Sequence, residues 1–263
     1  DGNGGNLVIS GIGKSEEDFA DSVLFSGKYP VGEDVVITPE SDPKYFSRIY
    51  AETRNSGNAG NIAIYSRELI LSDEAFIRSR TSGSGSGGNI GIYADFLILS
   101  DNAGINSDTL GQGAGGHISI RSQNVGIVTS GISADTGSTG KGGSLSITGC
   151  SEKEPAESVR LSDGASIFAG TLCGEDECSQ GGNADKIVIL SKSLELSGAY
   201  IGSETYGAGT GGDIHLGIYH LDMTDGSEIT VKSKGSGMGG KIRIAGISDT
   251  EPADTLTLTG NTY

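Results

Sequence analysis

A chain of 263 residues with 45 glycines, no tryptophan and only 35% hydrophobic residues cannot fill a wide globular core. It suits a thin core repeated along an axis, because the regular placement of Ile, Leu and Val excludes disorder. Eighteen basic against 34 acidic residues give a formal net charge of −16. That balance repels nucleic acid and anionic lipid, whose binding depends on Lys and Arg neutralising phosphates, and no apolar run approaches the ~18 residues of a membrane-spanning helix. Neither nucleic acid nor membrane insertion is therefore an expected partner. The chain opens at Asp1 without Met or a signal peptide, which points to a processed product or an excised piece.

In chain order one anchor keeps returning: Gly4-Gly5-Asn6-Leu7, Ala59-Gly60-Asn61-Ile62, Gly87-Gly88-Asn89-Ile90, Gly115-Gly116-His117-Ile118, Gly142-Gly143-Ser144-Leu145, Ala184-Asp185-Lys186-Ile187, Gly211-Gly212-Asp213-Ile214 and Gly239-Gly240-Lys241-Ile242. Its step is 28 residues from Gly60 to Gly88 and from Gly88 to Gly116, and 27 from Gly116 to Gly143. After each anchor the apolar residues alternate with polar or small ones, the period of a half-buried strand. Three short strands per repeat are predicted. Ile90-Gly91-Ile92 typifies the first, Leu97-Ile98-Leu99 the second, and Ile105 to Thr109 the third. In the third strand Ile leads, a small residue such as Ser79, Ser107 or Ala134 follows at the third position, and Thr closes, so the interior narrows there.

Turns too short for crossover helices and a constant period leave coiling as the solution, with each strand parallel to its counterpart ~4.8 Å away in the next repeat. The expected fold is all-β, a right-handed parallel β-helix of about 8–9 coils of 27–28 residues, one solenoid domain over residues 1–263. Insertions are expected at 11–22, 149–158, 172–181 and 246–255. The 55 residues from Gly5 to Gly60 hold either two coils or, as favoured here, one coil with an excursion from about Gly27 to Phe46. Cys150 takes the slot of Ile12 and Ile247 in sister loops and reads as a small buried hydrophobe. That leaves Cys173 and Cys178 to form a disulfide across a short acidic loop, in an oxidising compartment.

The outward positions of the third strand supply the candidate site. Asp108 and Asp135 fall on successive coils, where paired carboxylates serve as Ca²⁺ ligands or as general acid and base in polysaccharide cleavage, while Arg80 beside them offsets Asp108 and favours a plain solvated face. Tyr65 and Tyr93, also on successive coils, are placed to stack on each other or on a sugar. His117, His215 and His220 sit on different coils without triad or zinc spacing, and neither a catalytic site nor a metal or other cofactor is expected.

The recurrent GGNI, ILS-D and Ile-x-Ser-x-Thr segments with their glycine-rich turns resemble the repeat region of filamentous haemagglutinin-type exoproteins, the large passengers of bacterial two-partner secretion. The resemblance covers most of the chain, from about Ser47 onward, and implies a right-handed β-helix, export, and a role as adhesin, stalk or surface filament. The expected function is an extracellular structural and adhesive surface protein. It would associate end to end with itself or with neighbouring coils of a longer chain, and meet host or matrix polysaccharide or protein. A β-helical polysaccharide lyase or hydrolase and a non-catalytic carbohydrate-binding module are the alternatives.

Overall fold

The computed structural model describes residues 4–9, 20–25, 47–54, 56–171, 182–248 and 252–260. Every strand pairing is parallel, and no helix occurs among the described residues. The strands form two sheets. One is built from the long strands Ile62–Leu71, Ile90–Leu99, Ile118–Val128, Ile187–Ser197 and Ile214–Thr224, with shorter pieces in the remaining coils, and the other from seven short strands between Arg48–Tyr50 and Glu228–Ser233. The chain is a parallel β-helix in which, among the described residues, eight coils enter the first sheet and seven the second.

In the coils that begin at Ile62, Ile90, Ile118, Ile187 and Ile214 two strands replace the three expected from the sequence, because the first and second run together, whereas they stay separate in the coils that begin at Leu7, Leu145 and Ile242. Along Ile62–Leu71 the buried residues are Ile62, Ile64 and Ser66, then Leu69 and Leu71, so the alternation slips at Arg67 and Glu68 without breaking the ladder. The inward serine holds the slip. Ser66 Oγ donates to the Glu68 carbonyl at 2.5 Å, Ser122 Oγ to that of Asn124 at 2.9 Å, and Ser191 Oγ to that of Ser193 at 2.6 Å.

Inside, identical positions stack into columns. Ile62, Ile90, Ile118, Leu145, Ile187 and Ile214 pair in register and are at most 1% exposed. Each such side chain contributes about 2 kcal/mol by leaving water. The narrow side is held by hydroxyls: Ser79 Oγ donates to the Gly60 carbonyl at 2.6 Å and accepts from the Gly88 N–H at 3.0 Å, so one buried serine ties the glycine corners of two coils together. Ser107 repeats the first bond on Gly88 at 2.5 Å.

The corners are glycine because the next coil lies directly on them. A Cβ on Gly88 or Gly116 would stand 2.1 Å from the carbonyl oxygen of Gly60 or Gly88 below it. The residue after that glycine makes a further ladder, in which Asn61 Oδ1 accepts from the Asn89 N–H at 2.8 Å and Asn89 Oδ1 from the His117 N–H at 3.0 Å. The opposite corner explains the two periods. Coils of 28 residues turn through four residues with a consecutive left-handed pair, as at Asp101 (φ 56°) and Asn102 (φ 61°), whereas the 27-residue coils turn through three with Thr129 (φ 48°) or Gly198 (φ 59°) alone.

The long stretch before Gly60 contributes one coil. Leu7–Ile9, Ala20–Phe25 and Arg48–Tyr50 pair directly with successive parts of the coil that begins at Ile62. The excursion from about Gly27 to Phe46 lies outside the described residues, as do the insertion 172–181 and the Cys173 and Cys178 pairing. Two other insertions are shorter than expected, since residues 20–22 and 156–158 belong to strands Ala20–Phe25 and Ala156–Ser162. Cys150 is exposed rather than buried. Gly149 N–H donates to the Glu154 carbonyl at 2.7 Å and pinches the loop at its base, so residue 150 projects outward, where Gln123 Nε2 donates to its sulfur at 2.8 Å.

Candidate functional site

The five candidate residues fall into two groups on different sheets. Arg80, Asp108 and Asp135 lie on the outer face of the short-strand sheet: Arg80 pairs with Asp108, Asp135 pairs with Gly170, and the adjoining Thr109 and Thr136 pair with each other. The carboxylates are therefore neighbours across one strand spacing. Tyr65 and Tyr93 pair in the long-strand sheet.

Although its position on the strand is outward, Asp135 is only 7% exposed. Burial raises its carboxyl to about 7, the Asp108 charge adds to the rise, and bonds from the Ser133 hydroxyl and the Gly170 N–H oppose it. Burial also raises Asp108, against the guanidinium charges of Arg80 and Arg78. Arg80 Nε stands 3.4 Å from Asp108 Oδ2, an ion-pair distance without hydrogen-bond alignment. Asp108 Oδ1 and Asp135 Oδ1 are enclosed and lack a hydrogen-bond partner. On the same face Asn106 Nδ2 donates to Ser133 Oγ at 2.8 Å, so Asn106, Ser133 and Asp135 form a chain of donors running into the carboxyl pair.

The enclosure limits the chemistry. A general acid or base must come within hydrogen-bond reach of the atom it serves, and neither unpaired oxygen faces solvent. A cation would compete with the Arg80 guanidinium 3.4 Å from Asp108 and meet the charge of Arg78, and no cluster of three or more His, Cys, Asp or Glu suited to a metal occurs among the described residues. The arrangement is a covered polar seam.

Tyr65 and Tyr93 stack with ring centroids 4.5 Å apart and planes 4° from parallel. The Arg121 guanidinium lies 5.4 Å from the Tyr93 centroid and pairs with Glu152 of the projecting loop. One face of Tyr93 is thus taken by Tyr65, and the guanidinium adds a second contact.

A third group escaped the sequence reading. Glu204, 5% exposed, accepts from the Tyr200 hydroxyl at 2.5 Å and from Lys234 Nζ at 3.0 Å. Burial pushes this carboxyl up, but those two bonds and the charges of Lys234 and Lys232 carry it below its ordinary value. The signal was Tyr200-x-Gly202-x-Glu204: a Cβ on Gly202 would stand 2.3 Å from the Tyr200 ring, so the missing side chain lets the phenol lie along the strand to Glu204.

In comparisons with known proteins no family model matches the chain, and no curated protein and no solved structure matches it.

Proposed function

We propose that the chain is a segment of an extracellular structural and adhesive solenoid of the filamentous haemagglutinin type, exported to a bacterial surface. In this reading its last coil is covered by a further parallel coil, of a second copy or of a longer chain. The carrying observation is the exposure of side chains that belong to core columns. Ile242 and Leu256 are 42% and 50% exposed, whereas Ile214 and Leu221, their partners one coil earlier, are each 1% exposed; Leu258, over the half-buried Met223, is 68% exposed. Among the described residues no strand pairs with the outer edge of Ile242–Ala245 or Thr255–Leu258. An apolar rung at the edge of a parallel ladder is a template for another parallel strand, and a contact of this head-to-tail kind repeats into a filament.

The adhesive side of the reading is supported by outward stripes and projecting loops held on a rigid ladder, the arrangement by which solenoids offer extended binding surfaces. The burial of Asp135 and the enclosed Oδ1 of the half-buried Asp108 count against cleavage of polysaccharide by that pair.

Sedimentation velocity of the 263-residue chain tests the stacking. Weight-average sedimentation should rise with concentration, and the double variant Leu256→Asp, Leu258→Asp should remain monomeric. A parent chain that stays monomeric at every concentration, or a variant that assembles equally well, overturns the proposal.

A further inference from the structure

Between the corners of three successive coils lies a depression of about 340 Å³. The sequence creates it. The corner Val128-Thr129-Ser130 is one residue shorter than Ser100 to Ala103 before it and Ser162 to Ala165 after it. The paired outward positions beside these corners, Gly104 and Gly131, carry no side chain. The floor is therefore backbone, with Phe76, Asn106, Thr129, Ser133 and Ser166 around it. Every side chain that lines the depression is uncharged.

The Asn106 amide is held in one orientation. Asn106 Nδ2 donates to Ser133 Oγ at 2.8 Å. Asn106 Oδ1 is thereby turned to the glycine side, 3.0 Å from where a Cβ on residue 104 would stand. That oxygen has no hydrogen-bond partner and is enclosed, so a ligand reaches it only once the Phe76 ring has moved. The edge of the Phe76 ring closes over the same point, 2.5 Å from the same position. A fixed acceptor without a donor, an aromatic ring and several hydroxyls call for a ligand that brings O–H donors and C–H surface together. Charge selects further: no lining side chain is cationic, the Arg78 guanidinium 5.4 Å from the Phe76 centroid acts on the Asp108 carboxylate, and a chain of net charge −16 surrounds the depression.

We propose that the depression over Gly104 and Gly131 is a binding subsite for a neutral sugar residue of a glycan chain. Phe76 turns aside from Gly104 to lie along the sugar's C–H face, Asn106 Oδ1 accepts a sugar hydroxyl, and Thr129 and Ser166 complete the polar rim. The buried Asp135 is then a positioning residue, which fixes the Asn106 amide through Ser133. The inference deepens the adhesive side of the proposed function and does not depend on stacking.

Affinity electrophoresis tests it, with the whole chain run through native gels that contain a β-glucan, an α-glucan, an α-mannan or a β-galactan, and through gels that contain polygalacturonate or heparin. At least one neutral glycan should retard the parent chain, and the acidic ones should not. Gly131→Leu fills the depression, and its Cβ meets Ser166 Oγ at 3.0 Å, a side chain able to rotate away, and the Ser166 carbonyl at an ordinary 3.7 Å. This variant and Asn106→Ala should each weaken retardation about tenfold, a change of about 1.4 kcal/mol, with circular dichroism and melting unchanged. Absence of retardation by every neutral glycan, equal retardation by the acidic ones, or full binding by both variants overturns the subsite. Gly131→Leu should still sediment as the parent does, and a parent chain that assembles but is retarded by no neutral glycan sinks the subsite alone. Loss of assembly with intact glycan binding sinks the stacking alone.

Discussion

Asp135 is the residue at which burial and charge disagree most. Its carboxyl is raised from 3.8 to about 7, so the folded chain keeps a proton that the unfolded chain releases. Below 3.8 both states hold the proton and the residue costs nothing. As pH climbs from there to about 7 the unfolded state is favoured progressively, and above about 7 the loss is complete. At about 1.4 kcal/mol per pKa unit the loss is about 4 kcal/mol. Urea unfolding should therefore show Asp135→Asn more stable than the parent at pH 8 by several kcal/mol and nearly equal at pH 4, since the amide oxygen still accepts from Ser133. An advantage of equal size at both pH values would contradict the burial account. Adjacency of Asp108 and Asp135 was legible, because a constant period puts equivalent outward residues beside each other. Their burial was not, since it depends on how the neighbouring side chains pack over an outward position, which periodicity does not reveal.

At the scale of the element, the glycine corner carries the repeat. Gly116→Ala places a Cβ 2.1 Å from a backbone oxygen that cannot move without shifting the whole rung. It should cost about 3 kcal/mol, while Gly126→Ala, with nothing within 4 Å of the added carbon, should be near neutral. Chemical denaturation of the two variants checks this, and comparable losses would show that glycine is used here for flexibility and not for close approach. The anchors made these corners plain. That the first and second strands run together in five coils was not legible, because the alternation slips at Arg67 and Glu68, and the bond from Ser66 Oγ to the Glu68 carbonyl accompanies a backbone that continues through them. The Asn61 to Asn89 ladder was visible as a recurrent letter. Its role needed the register, which places each amide oxygen against the next coil's N–H.

For the whole molecule, period and alternation led directly to the parallel coil, because only one arrangement stacks a 27–28-residue repeat without crossover helices. Function was less legible. The resemblance rested on turn and column residues that any glycine-rich solenoid needs, whereas the depression arises where Thr129 shortens a corner beside two glycines, an irregularity that repeat analysis averages away. The central claim is that Ile242, Leu256 and Leu258 form an open rung awaiting another. Electron microscopy of the purified chain at increasing concentration tests it most directly. The account predicts rods of constant width whose length grows in steps of about 38 Å, eight coils at about 4.8 Å each, and that the double variant Leu256→Asp, Leu258→Asp leaves single short segments. Compact particles of one fixed length at every concentration would contradict it.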